Sequence, residues 1–487
     1  MVHRRWLLAL VVLLGVIAAS QSPVPARAAT TRTWTGAVDA KWSTAGNWSP
    51  AGAPVNGDAV VFPGPGAATT VTNDLVELSL ASLTLNNGFL TIVGNRLGIS
   101  STLAVPAAGG NPTLDLPIVL RGDIQVTLAN AVRLFMRERL TPIGNVALDV
   151  NGHSLTRTGG DDMEFNGDIV GGGSITSGGT YFSAHVPLSF AGTITLNAGT
   201  EAIIGRIGLP GDFCGAAASA TFVLNNAALT GTCATTFGAV TGSGKLTVFS
   251  DSSVTIRGKS GAVFDGNVVG VFPRQLSCCS SSEQTFRGVS TFTGFFSISN
   301  GKVTLDGAAF PAASSFSVTS NGVLAGYGSF GDTILTGSQL RLAPVGGQFG
   351  LARFPGLQFA PDVSVAFTIR GATPGVGFTQ ILMSGQIVLD NANLALDFGS
   401  YVPPVGQSFT LVKNATALLD TFGGLNEGAT FTAGGFRFKI TYQGGAGNDV
   451  IITRQADPTT PTPSPTPTST PTGMLANRRF APNVAKD

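Results

Sequence analysis

The feature that most constrains this chain is repetition punctuated by glycine. A hydrophobic-x-Gly-x-Gly-x-hydrophobic unit occurs three times, at residues 169–175, 240–246 and 324–330. A second unit, Phe-x-Gly-x6-Gly, occurs at Phe190, Gly192 and Gly199 and again at Phe292, Gly294 and Gly301, each copy running into an apolar strand. Short alternating runs recur along the chain, among them Ser82-Leu83-Thr84-Leu85, Lys245-Leu246-Thr247-Val248 and Lys302-Val303-Thr304-Leu305, each bounded by Gly, Asn, Asp or Ser. Period two over such lengths predicts strands. Glycine supplies the positive φ that tight turns between them need. Two imperfect repeat types in one order predict stacked coils rather than one closed barrel. One coil cannot bury its inner face alone, whereas coils stacked at about 4.8 Å pair each backbone group with the neighbours above and below. Capped amphipathic helices are missing after the first segment, so a doubly wound α/β fold has no material for its crossovers.

Composition agrees and excludes other classes. Glycine numbers 65 of 487 residues, close to twice the usual frequency of about 7%, yet hydrophobic residues make up 43%, enough for a large core. Charged residues are only 11%, with Lys plus Arg (28) balancing Asp plus Glu (27). Nucleic-acid binding needs a clustered positive field. The densest basic stretch, residues 133–139, contains Glu138 and alternates with apolar residues, and reads as a solvated strand or short helix face.

The first residues predict export. Arg4 and Arg5 precede a thirteen-residue apolar stretch at 7–19, followed by Ala26, Arg27 and Ala28, the pattern of a secretory signal peptide over residues 1–28 with mature protein beginning near Ala29. Arg4-Arg5-Trp6-Leu7-Leu8 also has the look of a twin-arginine signal. No later segment approaches the roughly 18 to 20 apolar residues of a membrane helix. At the other end, residues 455–473 contain TTPTPSPTPTSTPT. Proline removes amide donors and fixes φ, so this is expected to be an extended spacer of about 3 Å per residue. Residues 474–487 form a short basic tail with Arg478, Arg479 and Lys486.

Three segments resemble the passenger-like proteins that carry autotransporter-associated β-strand repeats. The string WTGAVDAKWSTAGNWSPAGAPVNGDAVVF at 34–62, with Trp34, Trp42 and Trp48 followed by Pro54, Asp58 and Phe62, looks like their opening. TFTGFFSISNGKVTLDG at 291–307 resembles the repeat, and residues 402–453 resemble the closing stretch. The resemblance implies an all-β fold, a right-handed parallel β-helix (solenoid) over residues 29–454, with an N-terminal cap at 31–70 and closing strands at 402–454. It also implies exposure outside the cell in a structural or adhesive role. The chain departs from the family in lacking a C-terminal run of amphipathic strands for an outer-membrane barrel. At 20 to 25 residues per coil the body should hold roughly 17 to 21 coils, about 80 to 100 Å in length.

Candidate chemistry is sparse. Trp34, Trp42 and Trp48 are expected to cover the open end of the first coil, the alternative being a carbohydrate-stacking platform. Residues 444–452 match the calcium nonapeptide G-G-x-G-x-D-x-U-x, with Asp449 the one metal candidate. A single copy cannot complete a shell of six to eight oxygens, so a structural turn is expected. Four cysteines after export predict disulfides. Cys214 and Cys233 are about one coil apart and the natural pair. Cys278 and Cys279 are adjacent and either join each other or pair elsewhere. Zinc is disfavoured because His153 and His185 lie far from both cysteine groups. The acids Asp161, Asp162 and Glu164 follow Gly159-Gly160 and read as solvated turn acids with no basic residue beside them. No G-x-S-x-G elbow occurs.

The expectation is a secreted or cell-envelope β-helical structural or adhesive protein, without catalytic activity or cofactor. Its partners would be extracellular polysaccharide or protein, with no nucleic acid and no membrane-spanning segment in the mature chain. The alternative is a polysaccharide lyase, glycoside hydrolase or carbohydrate-binding protein on the same fold.

Overall fold

A computed structural model describes residues 29–457, except 65–67, 107–109, 138–145, 186–187, 206–215, 233, 250–252, 272 and 312–313. Within them the protein is an all-β solenoid, a β-helix whose strands join one continuous, mostly parallel sheet. The chain travels over three faces in turn, then begins the next rung. Residues 59–62 lie on the first face, 69–73 on the second, 78–80 on the third, and 82–85 return to the first, in register with 59–62.

The first face carries seventeen strands in unbroken parallel succession, from Thr31–Trp34 to Asn393–Asp397. At about 4.8 Å per rung the stack is about 80 Å long. Parallel pairing follows from the winding: each rung runs in the same sense, and its amides bond to the rungs on both sides, as in Arg121 to the Ile99 carbonyl before it and Leu97 to the Pro117 carbonyl after it.

The alternating runs put one side of every strand inside. Thr193–Leu196 and Glu283–Phe286 alternate half-buried and buried residues, and Leu83, Leu85, Leu246, Val248, Val303 and Leu305 are fully buried. Phenylalanine dominates the later rungs. Phe264, Phe286, Phe296, Phe316, Phe330 and Phe354 form a ladder with centroid separations of 4.4 to 6.3 Å, each such pair adding roughly 0.5–1.5 kcal/mol beyond its burial. The basic stretch is a strand, Arg133–Arg137. Leu134 and Met136 point inward, and the Arg137 guanidinium lies over the Phe135 ring.

The glycine units are corner devices. In the first type both glycines have positive φ, +85° and +109° at Gly171 and Gly173, +80° and +134° at Gly242 and Gly244, and +92° and +138° at Gly326 and Gly328. A Cβ on Gly244 would strike the Ala227 carbonyl of the rung below, and one on Gly328 the Ala308 carbonyl. The second type folds a buried phenylalanine ring under the glycine two residues on: Phe190 under Gly192, Phe292 under Gly294. Copies of one unit do not all share a corner. The 169–175 unit turns from the third face to the first, while the 240–246 and 324–330 units turn from the first to the second.

Among the described strands, antiparallel pairing is confined to the two ends, apart from isolated bridges such as Val345 with Gln348 and Ile369 with Phe378. Thr31–Trp34 pairs with Trp48–Ser49. At the far end Ser408–Lys413, Asp449–Arg454, Phe436–Gly444 and Thr430–Ala433 form an antiparallel sheet. No helix among the described residues is long and apolar enough to cross a membrane. Residues 1–28, the Thr/Pro stretch from 458 and the basic tail lie outside the described residues, as do Cys214 and Cys233.

Candidate functional site

The opening tryptophans are buried in one knot. Trp34, Trp42 and Trp48 are 9%, 0% and 3% exposed and pack on Phe62 at centroid distances of 5.6 to 6.0 Å. Trp48 Nε1 donates to the Trp42 carbonyl at 2.8 Å. Asp58, fully buried, accepts from the Thr30 and Val55 amides and from Arg32 Nε. The carbohydrate platform is therefore corrected: stacking on a sugar needs an accessible indole face, and these faces are spent on one another and on Phe62.

Asp449 is 7% exposed, and its Oδ1 accepts the Asn414 amide at 2.8 Å. Its strand closes the terminal sheet, where Asp449 pairs with Gly444. The carboxylate thus ties the last hairpin to the end of a rung. Among the described residues no three His, Cys, Asp or Glu side chains converge to hold a metal. Cys278 and Cys279 are joined to each other by a disulfide. Both are buried, in the corner where the third face turns to the first.

The acidic cluster requires a correction. Asp162 is not a solvated turn acid: it begins the strand Asp162–Asn166 and is 6% exposed. Nor are the acids without basic neighbours. Arg133 Nε lies 2.9 Å from Asp161 Oδ2, and His185 Nε2 lies 3.6 Å from Glu164 Oε1. Stacking brings together residues one rung apart, which linear inspection cannot see. Asp162 accepts the Ser183 hydroxyl at 3.0 and 3.1 Å. Burial raises its carboxyl above the ordinary range, against the Ser183 hydrogen bonds, which lower it.

Arg157, missed by sequence reasoning, occupies an inward position between Val126 and Ser177. It is 1% exposed and donates to the carbonyls of Gly159 and Tyr181. Burial lowers its pKa to about 10, opposed by the Asp162 and Asp161 charges. Its side chain fits because position 179 is glycine: a Cβ there would overlap the guanidinium. The acids pair with base and hydroxyl, Arg157 Nη2 is buried without a hydrogen-bond partner among the described residues, and the cluster braces a corner.

A larger concavity lies elsewhere, at the corner from the first face to the second. It is a cleft of about 670 Å³ crossing successive rungs, flanked by Glu201, Asn226, Lys245, Asp265 and Asn267. Register stacks Glu201 on Ala228, Ala228 on Lys245, and Lys245 on Asn267. Its floor is backbone: a Cβ on Gly266 would meet the Gly244 carbonyl, and one on Gly288 the Gly266 carbonyl. Thr230 Oγ1 donates to Glu201 Oε1 at 2.9 Å, while Lys245 is exposed and has no ion-pair partner among the described residues. Farther along the corner, Arg287 lies 3.8 Å from Asp265 and 2.7 Å from Asp306, which also accepts the Tyr327 hydroxyl at 2.8 Å. The sequence signal here was slight, Lys245 beside a Gly-x-Gly unit, because the groups are 17 to 29 residues apart.

A second cleft, of about 480 Å³, lies where the third face turns to the first. There Lys302 Nζ is 3.4 Å from Glu283 Oε2, and the Ser260 hydroxyl donates to Glu283 at 3.0 Å.

These features define the protein as an all-β parallel solenoid with closed ends and patterned corners. No family model matches the chain, and no curated protein matches it. Among solved structures it is similar to the Haemophilus influenzae Hap adhesin, at 12% identity and a TM-score of 0.32. The match covers 82% of this chain and 63% of that one, so the chain spans less than two thirds of that protein's length. The strand register, not this likeness, establishes the architecture.

Proposed function

We propose that the protein is a secreted or cell-envelope structural and adhesive β-helix that acts without catalysis, holding a patterned lateral surface out for contact. The observation that carries this reading is the uninterrupted stack of seventeen rungs on the first face. Each rung adds outward side chains at a fixed pitch, so contact surface grows in proportion to rung number. The ends favour the same reading, since a tryptophan knot and an antiparallel sheet leave the sides as the available surface.

Export by residues 1–28 and a semi-rigid spacer at 455–473 fit such a role. A Cys214–Cys233 bridge would suit an oxidising compartment. The test is to present mature protein to glycan and cell-surface arrays while assaying a polysaccharide panel for new reducing or unsaturated ends. Binding without cleavage is expected. Appearance of new chain ends would replace this reading with a polysaccharide-acting enzyme on the same fold.

A further inference from the structure

We infer that the corner between the first and second faces is a binding trough for an extended, uncharged polysaccharide chain lying along the solenoid axis. This rests on the adhesive reading and names its ligand. The cleft runs from Glu201 through Lys245 to Asp265 and Asn267, and the same corner continues beyond it with Arg287, Asp306 and Tyr327, which pair with one another and with Asp265. Glu201, Ala228, Lys245, Asn267, Arg287, Asp306 and Tyr327 stand on seven successive rungs, a span of about 30 Å. Only a polymer can follow a site of that form.

Four observations choose the polymer. Donors and acceptors are interleaved: Glu201 and Asp265 accept, Lys245 donates, and Asn226 and Asn267 do both. Hydroxyl groups, which donate and accept alike, match that mixture at every step. The acids Glu201, Asp265 and Asp306 outnumber the bases Lys245 and Arg287, so a polyanion such as nucleic acid or a sulfated glycan meets a net negative wall. A peptide strand would seek free backbone groups, but the rungs here spend theirs on each other, as in the Ala228 amide to the Thr200 carbonyl and the Asp265 amide to the Gly242 carbonyl. The glycine-stacked floor lets a flat ring approach the backbone, and Ala228, between Glu201 and Lys245, leaves a notch one rung wide.

The test is calorimetric titration of the full mature chain with neutral gluco-, manno- and galacto-oligosaccharides of increasing length, with heparin and polygalacturonate as polyanionic probes. At least one neutral series should bind, with affinity rising with length until the trough is filled. Ala228→Trp, which fills the notch, and Lys245→Ala, an exposed change that spares the fold, should each weaken it tenfold or more. Lys302→Ala, in the other cleft, should leave it unchanged. Unaltered affinity in Lys245→Ala and in Ala228→Trp, equal loss in Lys302→Ala, or preference for the polyanions would overturn the trough. Adhesion to cell-surface arrays is scored in parallel. Adhesion that persists with no neutral glycan bound also overturns the trough but leaves the adhesive reading standing, whereas loss of both removes the two together.

Discussion

Gly244 and Gly346 separate two costs that glycine avoids. Gly346 has φ +56° and open space around its Cβ position, so Gly346→Ala should cost about 1 kcal/mol, the penalty of the left-handed region. Gly244 has φ +134° and faces the Ala227 carbonyl of the adjacent rung. Gly244→Ala should cost more, about 2–4 kcal/mol, because strain and steric overlap combine. Urea midpoints of the two variants check the order, and equal costs would show that rung contact at this corner is unimportant.

Asp162 makes a pH prediction. Its folded carboxyl is raised by burial, so between the unfolded value, about 4, and the raised one the folded state holds more protons than the unfolded. The associated stability is fully present below about pH 4 and is lost as pH rises through the folded value. Asp162→Asn keeps an acceptor for Ser183 but does not titrate. Its urea midpoint should gain on that of the native protein as pH rises from 4 to 7, and a constant difference would refute the assignment. Sequence inspection located this acid but misjudged its surroundings, because Ser183 and Arg133 come from the neighbouring rungs and Arg157, five residues back, turns inward beside it.

Among elements, the strands and their inward faces were legible, since alternation reports burial wherever one side is dry. The glycine units were legible as turns but not as positions. One local conformation serves whichever corner needs it, so the 169–175 and 240–246 copies fall at different corners. The tryptophan string at 34–62 was readable as an end structure, and the packing of its rings on Phe62 came from the fold. Trp42 is fully buried in that knot. Trp42→Ala should destabilise the first rungs by about 3–5 kcal/mol, measured as early proteolytic trimming from the N-terminal side while the later rungs persist. Trimming no faster than in the native chain would mean that the knot does not hold the end.

As a whole molecule the protein is quasi-one-dimensional, each rung touching chiefly its neighbours. Scattering from the mature chain should give a rod with a body about 80 Å long and a cross-section constant along it. A compact globular profile would remove the basis for a display surface. The clefts belong to this scale too, for neither exists within a single rung.

What the chain alone determined is local: strand periodicity, turn chemistry at glycine, and the repetition that forces coils to stack, because these depend on residues within about one rung of each other. Tertiary structure decided which side chains meet between rungs. Register placed Glu201, Lys245 and Asn267 in one column, buried Arg157 beside Asp162, and turned the tryptophans inward. The physical reason is that stacking adds contacts at a pitch of about 4.8 Å between residues about 20 positions apart, and no local pattern encodes where one rung begins relative to the last.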